Sequence, residues 1–120
     1  MWWQKYIGLP FAEKGRCEGG LDCWGLVKLV YEKELGIELP SYEWCYHDTN
    51  DADAIGREIE MQRVAGWHEI EKPQEFDLAI LRMRGVPMHV GIVTKAPFMI
   101  HSAHGVDVAL ERLDGLRWKN

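Results

Sequence analysis

From Asp22 to Leu35 the apolar positions fall at Cys23, Leu26, Val27, Val30 and Leu35, with Lys28, Glu32, Lys33 and Glu34 between them. That is a helical period, with an apolar residue returning to one face every three or four positions. Asp22 offers the short acceptor side chain favoured at an N-cap, and Gly36 the freedom to turn left-handed at a C-terminus. The pattern predicts a helix with Cys23 in its first turn. A second helix is expected over 52–65, capped by Asn50 or Asp51, with Ile55, Ile59 and Val64 inward and Gly66 at its end. Further along, the period shortens to two. Phe76 to Met83, His89 to Thr94, Phe98 to Ala103 and Val106 to Leu110 are short apolar runs, separated by Arg84-Gly85, Lys95-Ala96-Pro97 and His104-Gly105. They predict an antiparallel meander. Helices first and strands second is the α+β order, with N-terminal helices packed on a four- to five-stranded antiparallel sheet. The glycine-dense stretch from Tyr6 to Gly20 reads as a looped approach to the first helix, and Pro40 to His47 as an aromatic loop.

A chain of 120 residues, 47% hydrophobic, has material for one core, so residues 1–120 are expected to form a single domain. Its 14 Lys+Arg against 19 Asp+Glu leave a formal charge of −5, which argues against nucleic acid as a partner. No run approaches the ~18 apolar residues of a membrane span. Met1-Trp2-Trp3-Gln4-Lys5 lacks the basic start and apolar stretch of a secretory signal, so synthesis in the cytoplasm without a signal peptide is expected. Three cysteines, an odd number, do not suggest a disulfide framework. Cys17, Cys23, Cys45 and His47 contain no CxxC pair, so no metal or other cofactor is expected, and Cys17 and Cys45 read as packing or loop thiols. The carboxylates between Glu58 and Glu75 read as a solvated surface.

Cys23 is the thiol with a chemical argument behind it. A helix N-terminus carries about half a positive charge, which favours thiolate and is expected to lower a free pKa of about 8.5. The glycine pair Gly19-Gly20 lets backbone come close to a substrate, and Gly25 keeps the first turn small. A nucleophilic thiol needs a base, and strand parity sorts the five histidines. If the strands holding His89 and His101 join through a loop at Thr94–Ala96, Gly91 faces Met99 and His89 faces His101. Both imidazoles then share one side of the sheet at a Cβ separation of about 4.5–5.5 Å, where one ring orients the other. His104 falls outside this ladder.

The run Gly20-Leu21-Asp22-Cys23-Trp24-Gly25-Leu26-Val27 resembles the nucleophile motif of NlpC-type cysteine peptidases, the bacterial cell-wall endopeptidases. Tyr6-Ile7-Gly8-Leu9-Pro10-Phe11 is similar to that family's lead-in and Phe76-Asp77-Leu78-Ala79 to its first core strand. His89-Val90-Gly91-Ile92-Val93 resembles its base strand and Met99-Ile100-His101-Ser102-Ala103 the strand of its third polar residue. The resemblance implies a papain-like fold with Cys23 as nucleophile, His89 as general base and His101 as orienter. It also makes Asp22, Trp24, Tyr6 and Gly20 the expected substrate contacts. Two positions depart from the pattern. Phe11 stands where the family has a tyrosine reaching the site, leaving Tyr6 as its expected substitute, and Phe76 stands where it has glycine. Trp24 after the nucleophile resembles the subset carried by tail-assembly proteins of phages and prophages. The implied activity is hydrolysis of an amide in peptidoglycan stem peptides, at the bond after γ-D-glutamate. The implied partners are that peptide and other phage tail proteins, in a virion tail acting on the cell wall. Two alternatives stand beside it: an inert structural tail protein, and an amidase or acyltransferase of the same superfamily.

Overall fold

The computed structural model describes residues 1–41, 72, 74–83, 86–103 and 106–113. The expected second helix over 52–65, the positions 42–47 and His104 lie outside the described residues.

The predicted first helix is present as α1, Cys23–Val30, continued by a wider π turn at Tyr31–Leu35. Asp22 caps it, its side chain accepting from the Gly25 N–H, and Gly36 ends it at φ 66°. Leu26, Val27, Leu29 and Val30 are buried. At about 1.5–3 kcal/mol for each fully buried aliphatic side chain, that face rather than helix propensity holds the element in place. Ahead of α1, the glycine-dense approach is more ordered than its composition suggests. Trp2–Tyr6 forms a 3-10 turn, and β1 (Arg16–Cys17) pairs antiparallel with β2 (Gly20–Leu21).

The predicted meander is present as β3 (Leu78–Met83), β4 (Val86–Val93), β5 (Phe98–Ala103) and β6 (Val106–Arg112), antiparallel and in sequence order across one sheet. Val90, Ile92, Ile100 and Val108 join the core formed with α1, Tyr6, Leu21 and Tyr31. By strand alternation His89, Gly91, Met99 and His101 belong to the other side, where Leu81 and Met99 form a second cluster with Ala79 and Leu113. No helix among the described residues is long and apolar enough to cross a membrane.

The expected register needs correction. Ile92 faces Ile100 and Val93 faces Met99, which moves β5 by two residues against the predicted pairing. The cause lies in the turn: the Thr94 N–H donates to the Phe98 carbonyl at 3.1 Å, so the loop is Lys95–Pro97 and not Thr94–Ala96. A slip of two preserves parity, so His89 and His101 still share a side, as diagonal rather than direct neighbours.

Candidate active site

β4 and β5 are laddered only at Ile92↔Ile100 and Val93↔Met99. Beyond that point β4 stays on β3 and β5 stays on β6, so the two central strands part. Continuing the two-residue period from Thr94, the Val90 N–H would donate to β5. Instead it hydrogen-bonds the Cys23 sulfur. The Ser102 hydroxyl, on β5, donates to the Leu21 carbonyl at 2.8 Å. The start of α1 is thereby fastened where the sheet opens, and the strand residue next to the one that holds the thiol is His89.

His89 Nε2 lies 2.9 Å from His101 Nδ1, with the rings at 83° to each other and both residues buried. Each sits at a ladder irregularity. The β3–β4 register slips between Leu81 and Arg82, beside His89, and the β5–β6 register slips between His101 and Ala103. Bulges re-aim side chains, and here they turn two diagonal residues into ring contact. Gly91 lets β5 pack close, since a Cβ there would lie 2.7 Å from Met99 Sδ and 3.2 Å from the Ile100 carbonyl oxygen. On its far side, His101 Nε2 lies 3.2 Å from Glu111 Oε2.

The electrostatics at Cys23 correct the expectation of a lowered pKa. Burial, and then the adjacent Asp22 carboxylate, push the thiol up to about 12. Hydrogen bonds from the Val90 and Trp24 backbones and the charge of Arg16 pull the other way and are outweighed. The residue that caps the helix places its negative charge beside the sulfur, which offsets the helix-end field.

The chain's kinship can be set against this geometry. The NlpC/P60 family matches over residues 8–120. The chain belongs to the NlpC/P60 family. It is 29% identical over 101 residues to tail tip assembly protein K of Escherichia phage N15, covering 81% of this chain and 41% of that protein. It is 26% identical over 121 residues to gamma-DL-glutamyl hydrolase of Bacillus subtilis (strain 168), covering 98% of this chain and 25% of that one. This chain therefore spans less than half the length of either relative. The NlpC/p60 domain of the peptidoglycan hydrolase SagA superposes with a TM-score of 0.65 at 22% identity, over 96% of this chain and 86% of that one. The α+β fold is that of an NlpC/p60 domain.

Among the expected substrate contacts of this NlpC/P60 chain, three are engaged inside the protein. Asp22 has no exposed surface; it accepts from the Gly25 N–H at 2.8 Å and the Lys14 N–H at 3.1 Å, and pairs with Arg16 at 2.7 Å. Arg16 also donates to the Gly15 and Ser41 carbonyls, so this one guanidinium ties three segments together. Tyr6 is buried and its hydroxyl donates to Glu34 at 2.8 Å. Glu34 lies eleven residues along the helical segment from Cys23, about 16 Å at 1.5 Å per residue, so Tyr6 does not replace the hydroxyl that Phe11 lacks. Gly20 is buried against Ala12, whose Cβ would stand 2.6 Å from an added one. Its missing side chain admits the protein's own loop, not a substrate. Trp24 is partly exposed beside Cys23, with its indole N–H donating to the Pro40 carbonyl at 2.7 Å.

The second departure has a backbone signature. Phe76 adopts φ 72°, the left-handed conformation that a glycine takes without strain. It keeps its place through other contacts: its ring stacks on Trp2 at 4.4 Å and 17°, and its carbonyl accepts from the Tyr31 hydroxyl at 2.6 Å. Glu111 was not singled out by sequence. The available signal was its position in β6, one strand beyond His101, with a side chain long enough to reach back.

Proposed function

We propose that this NlpC/P60 domain is a cysteine-type hydrolase that cuts an amide bond in peptidoglycan stem peptides, at the bond following γ-D-glutamate. The observation that carries the reading is the joint placement of the Cys23 sulfur on the Val90 N–H and of His89 on His101. His89 Nε2 is engaged by His101, which leaves Nδ1 for the thiol. With a thiol held near 12, the resting nucleophile is neutral, and thiolate forms as His89 takes its proton during attack. Sulfur adds to the carbonyl carbon, and the oxyanion is stabilised by a main-chain N–H at the start of α1, that of Cys23 itself. Collapse expels the amine, which takes the proton from His89. Water, deprotonated by the same imidazole, then cleaves the thioester and the thiol is restored. His101 accepts from His89 Nε2 and steadies the imidazolium.

The names of the relatives support the substrate class. One is a gamma-DL-glutamyl hydrolase and another a tail tip assembly protein, which fits local wall hydrolysis from a virion tail. The raised thiol pKa favours a second reading, an inert structural tail component. Incubating the purified protein with sacculi and weighing the released muropeptides separates the two. Wild type should release peptides cut after γ-D-glutamate and Cys23→Ala should not; equal release, or none from either, would sink the hydrolase.

A further inference from the structure

We propose that Glu111 is a positioning residue that sets the tautomers of both buried histidines and so decides which nitrogen of His89 is left to receive the Cys23 proton; the catalytic consequence rests on the hydrolase reading above. The row begins on β6. His101 faces Ala109 and Met99 faces Glu111, so Glu111 is the diagonal neighbour of His101 on the same side of the sheet. His89 is the diagonal neighbour of His101 on β4. Three strands thus carry a continuous line, Glu111 Oε2 to His101 Nε2 at 3.2 Å and His101 Nδ1 to His89 Nε2 at 2.9 Å. The carboxylate lies at ion-pair distance without completing a hydrogen bond to Nε2. His101 is wholly buried, whereas the Glu111 side chain is 26% exposed.

A neutral imidazole holds one proton on one of two nitrogens, and the hydrogen bond at one nitrogen fixes the role of the other. An ionised carboxylate offers no proton. It therefore favours His101 in the form with hydrogen on Nε2, which makes Nδ1 an acceptor. Among the described residues the partner at that acceptor is His89, which satisfies it with hydrogen on Nε2 and then carries its lone pair on Nδ1. Each assignment follows from the one before. Without the carboxylate, His101 is as able to place its proton on Nδ1 and donate to His89. His89 then carries its own proton on Nδ1 and cannot take another from the thiol without first giving one up. The same charge favours the His89 imidazolium formed during attack, relayed through a polarised ring. Supporting groups of this kind, acting one shell beyond the reacting atoms, typically contribute about 10–100-fold.

The test reads tautomers directly, by two-bond nitrogen–proton NMR of protein labelled in its histidine rings, with signals assigned from His89→Ala and His101→Ala. In the wild type both rings should carry hydrogen on Nε2. Glu111→Gln, near-isosteric but able to donate as well as accept, should bring hydrogen onto Nδ1 of His101. On muropeptide substrate it should lower kcat about 10–100-fold with KM unchanged, and Glu111→Asp should restore part of both effects. A wild-type His101 protonated at Nδ1 overturns the proposal, whatever becomes of the variants. So do unchanged tautomers in Glu111→Gln, and a kcat that stays level while the tautomers change removes the catalytic role. If tautomers respond as expected but the wild type cuts no substrate, the hydrolase reading fails and the role of Glu111 in ordering the rings stands.

Discussion

His89 Nε2 touches His101 Nδ1 at 2.9 Å although the strands that carry the two residues are not laddered beside either one. The parting of β4 and β5 frees the Val90 N–H for the Cys23 sulfur, and the ladder irregularity beside each histidine accompanies the contact of the two rings. A regular four-stranded sheet with the same sequence would present both rings and still leave the thiol outside it.

The three site residues should not be equal. Cys23→Ser should abolish turnover, since a hydroxyl is a far poorer anion than a thiol. His89→Ala should cost nearly as much, because that ring serves both half-reactions. His101→Ala leaves the thiol and its base in place, so activity should fall by roughly 10²–10⁴-fold and not to zero. His101→Asn, which can accept from His89 Nε2, should recover part of it. Steady-state kinetics on a defined muropeptide decide the order, and a fully active His101→Ala would contradict it.

Glycines around the nucleophile should differ sharply in tolerance. In a helix interior Gly→Ala is ordinarily worth up to about 1 kcal/mol of added stability. At Gly25 the new Cβ would stand 2.0 Å from the Gly15 carbonyl oxygen, a backbone atom with no easy retreat. Overpacking of this kind costs about 1–3 kcal/mol or more, so the clash outweighs the propensity gain. Gly19→Ala meets nothing nearer than Cys17 Sγ at 3.7 Å and should be close to neutral. Chemical denaturation of the two variants should give clearly separated midpoints.

The elements carrying the chemistry were legible in sequence because each has a short-range cause. The Asp22 cap, the Gly36 stop and the two-residue periods of β3 to β6 are local, and each is in place. Even the shared side of His89 and His101 needs only an odd loop. What was not legible depends on contacts distant in sequence. Which three residues make the Lys95–Pro97 loop sets the register, and alternation cannot see it. The roles of Asp22, Gly20 and Tyr6 follow from their neighbours Arg16, Ala12 and Glu34, which only the folded chain brings near. The thiol pKa inverted for the same reason: a helix-end field is a sequence-level inference, but burial is not.

Phe76 should show the imprint of its conformation. A left-handed backbone costs a non-glycine residue about 1–2 kcal/mol, here offset by the stack on Trp2. Phe76→Ala loses the stack and keeps the strain, whereas Phe76→Gly loses the stack and is relieved of it. Both should destabilise, with the glycine variant the more stable by about 1 kcal/mol despite its more flexible unfolded chain. Equal melting temperatures, or alanine ahead, would show that φ 72° is not strained in this setting.

The Cys23 thiol should make stability fall as pH rises. Its pKa is about 12 in the folded chain against about 8.5 for a free cysteine. Below pH 8 both states hold the proton and the difference contributes its full stabilisation. Above about 8.5 the unfolded chain releases a proton that the folded one retains, so the contribution is lost progressively up to pH 12, with a slope of at most about 1.4 kcal/mol per unit. Tyr31, also pushed up to about 12, and Tyr6, pushed higher still, add slopes of the same sign only above about pH 10. Among the described residues, the window from 8.5 to 10 therefore isolates Cys23. Urea unfolding in that window should show a decline that Cys23→Ala abolishes. Asp22→Asn, which removes the second cause of the shift while keeping an acceptor for the Gly25 N–H, should make the decline shallower. Alkylation of Cys23, read on its own peptide to set aside the exposed Cys17, should be slow at pH 7 in the free protein and climb through the same window. A thiol that alkylates at full rate at pH 7, with no pH dependence of stability, would mean that the charge and backbone donors at the helix start outweigh burial and Asp22, and that the nucleophile is a preformed thiolate.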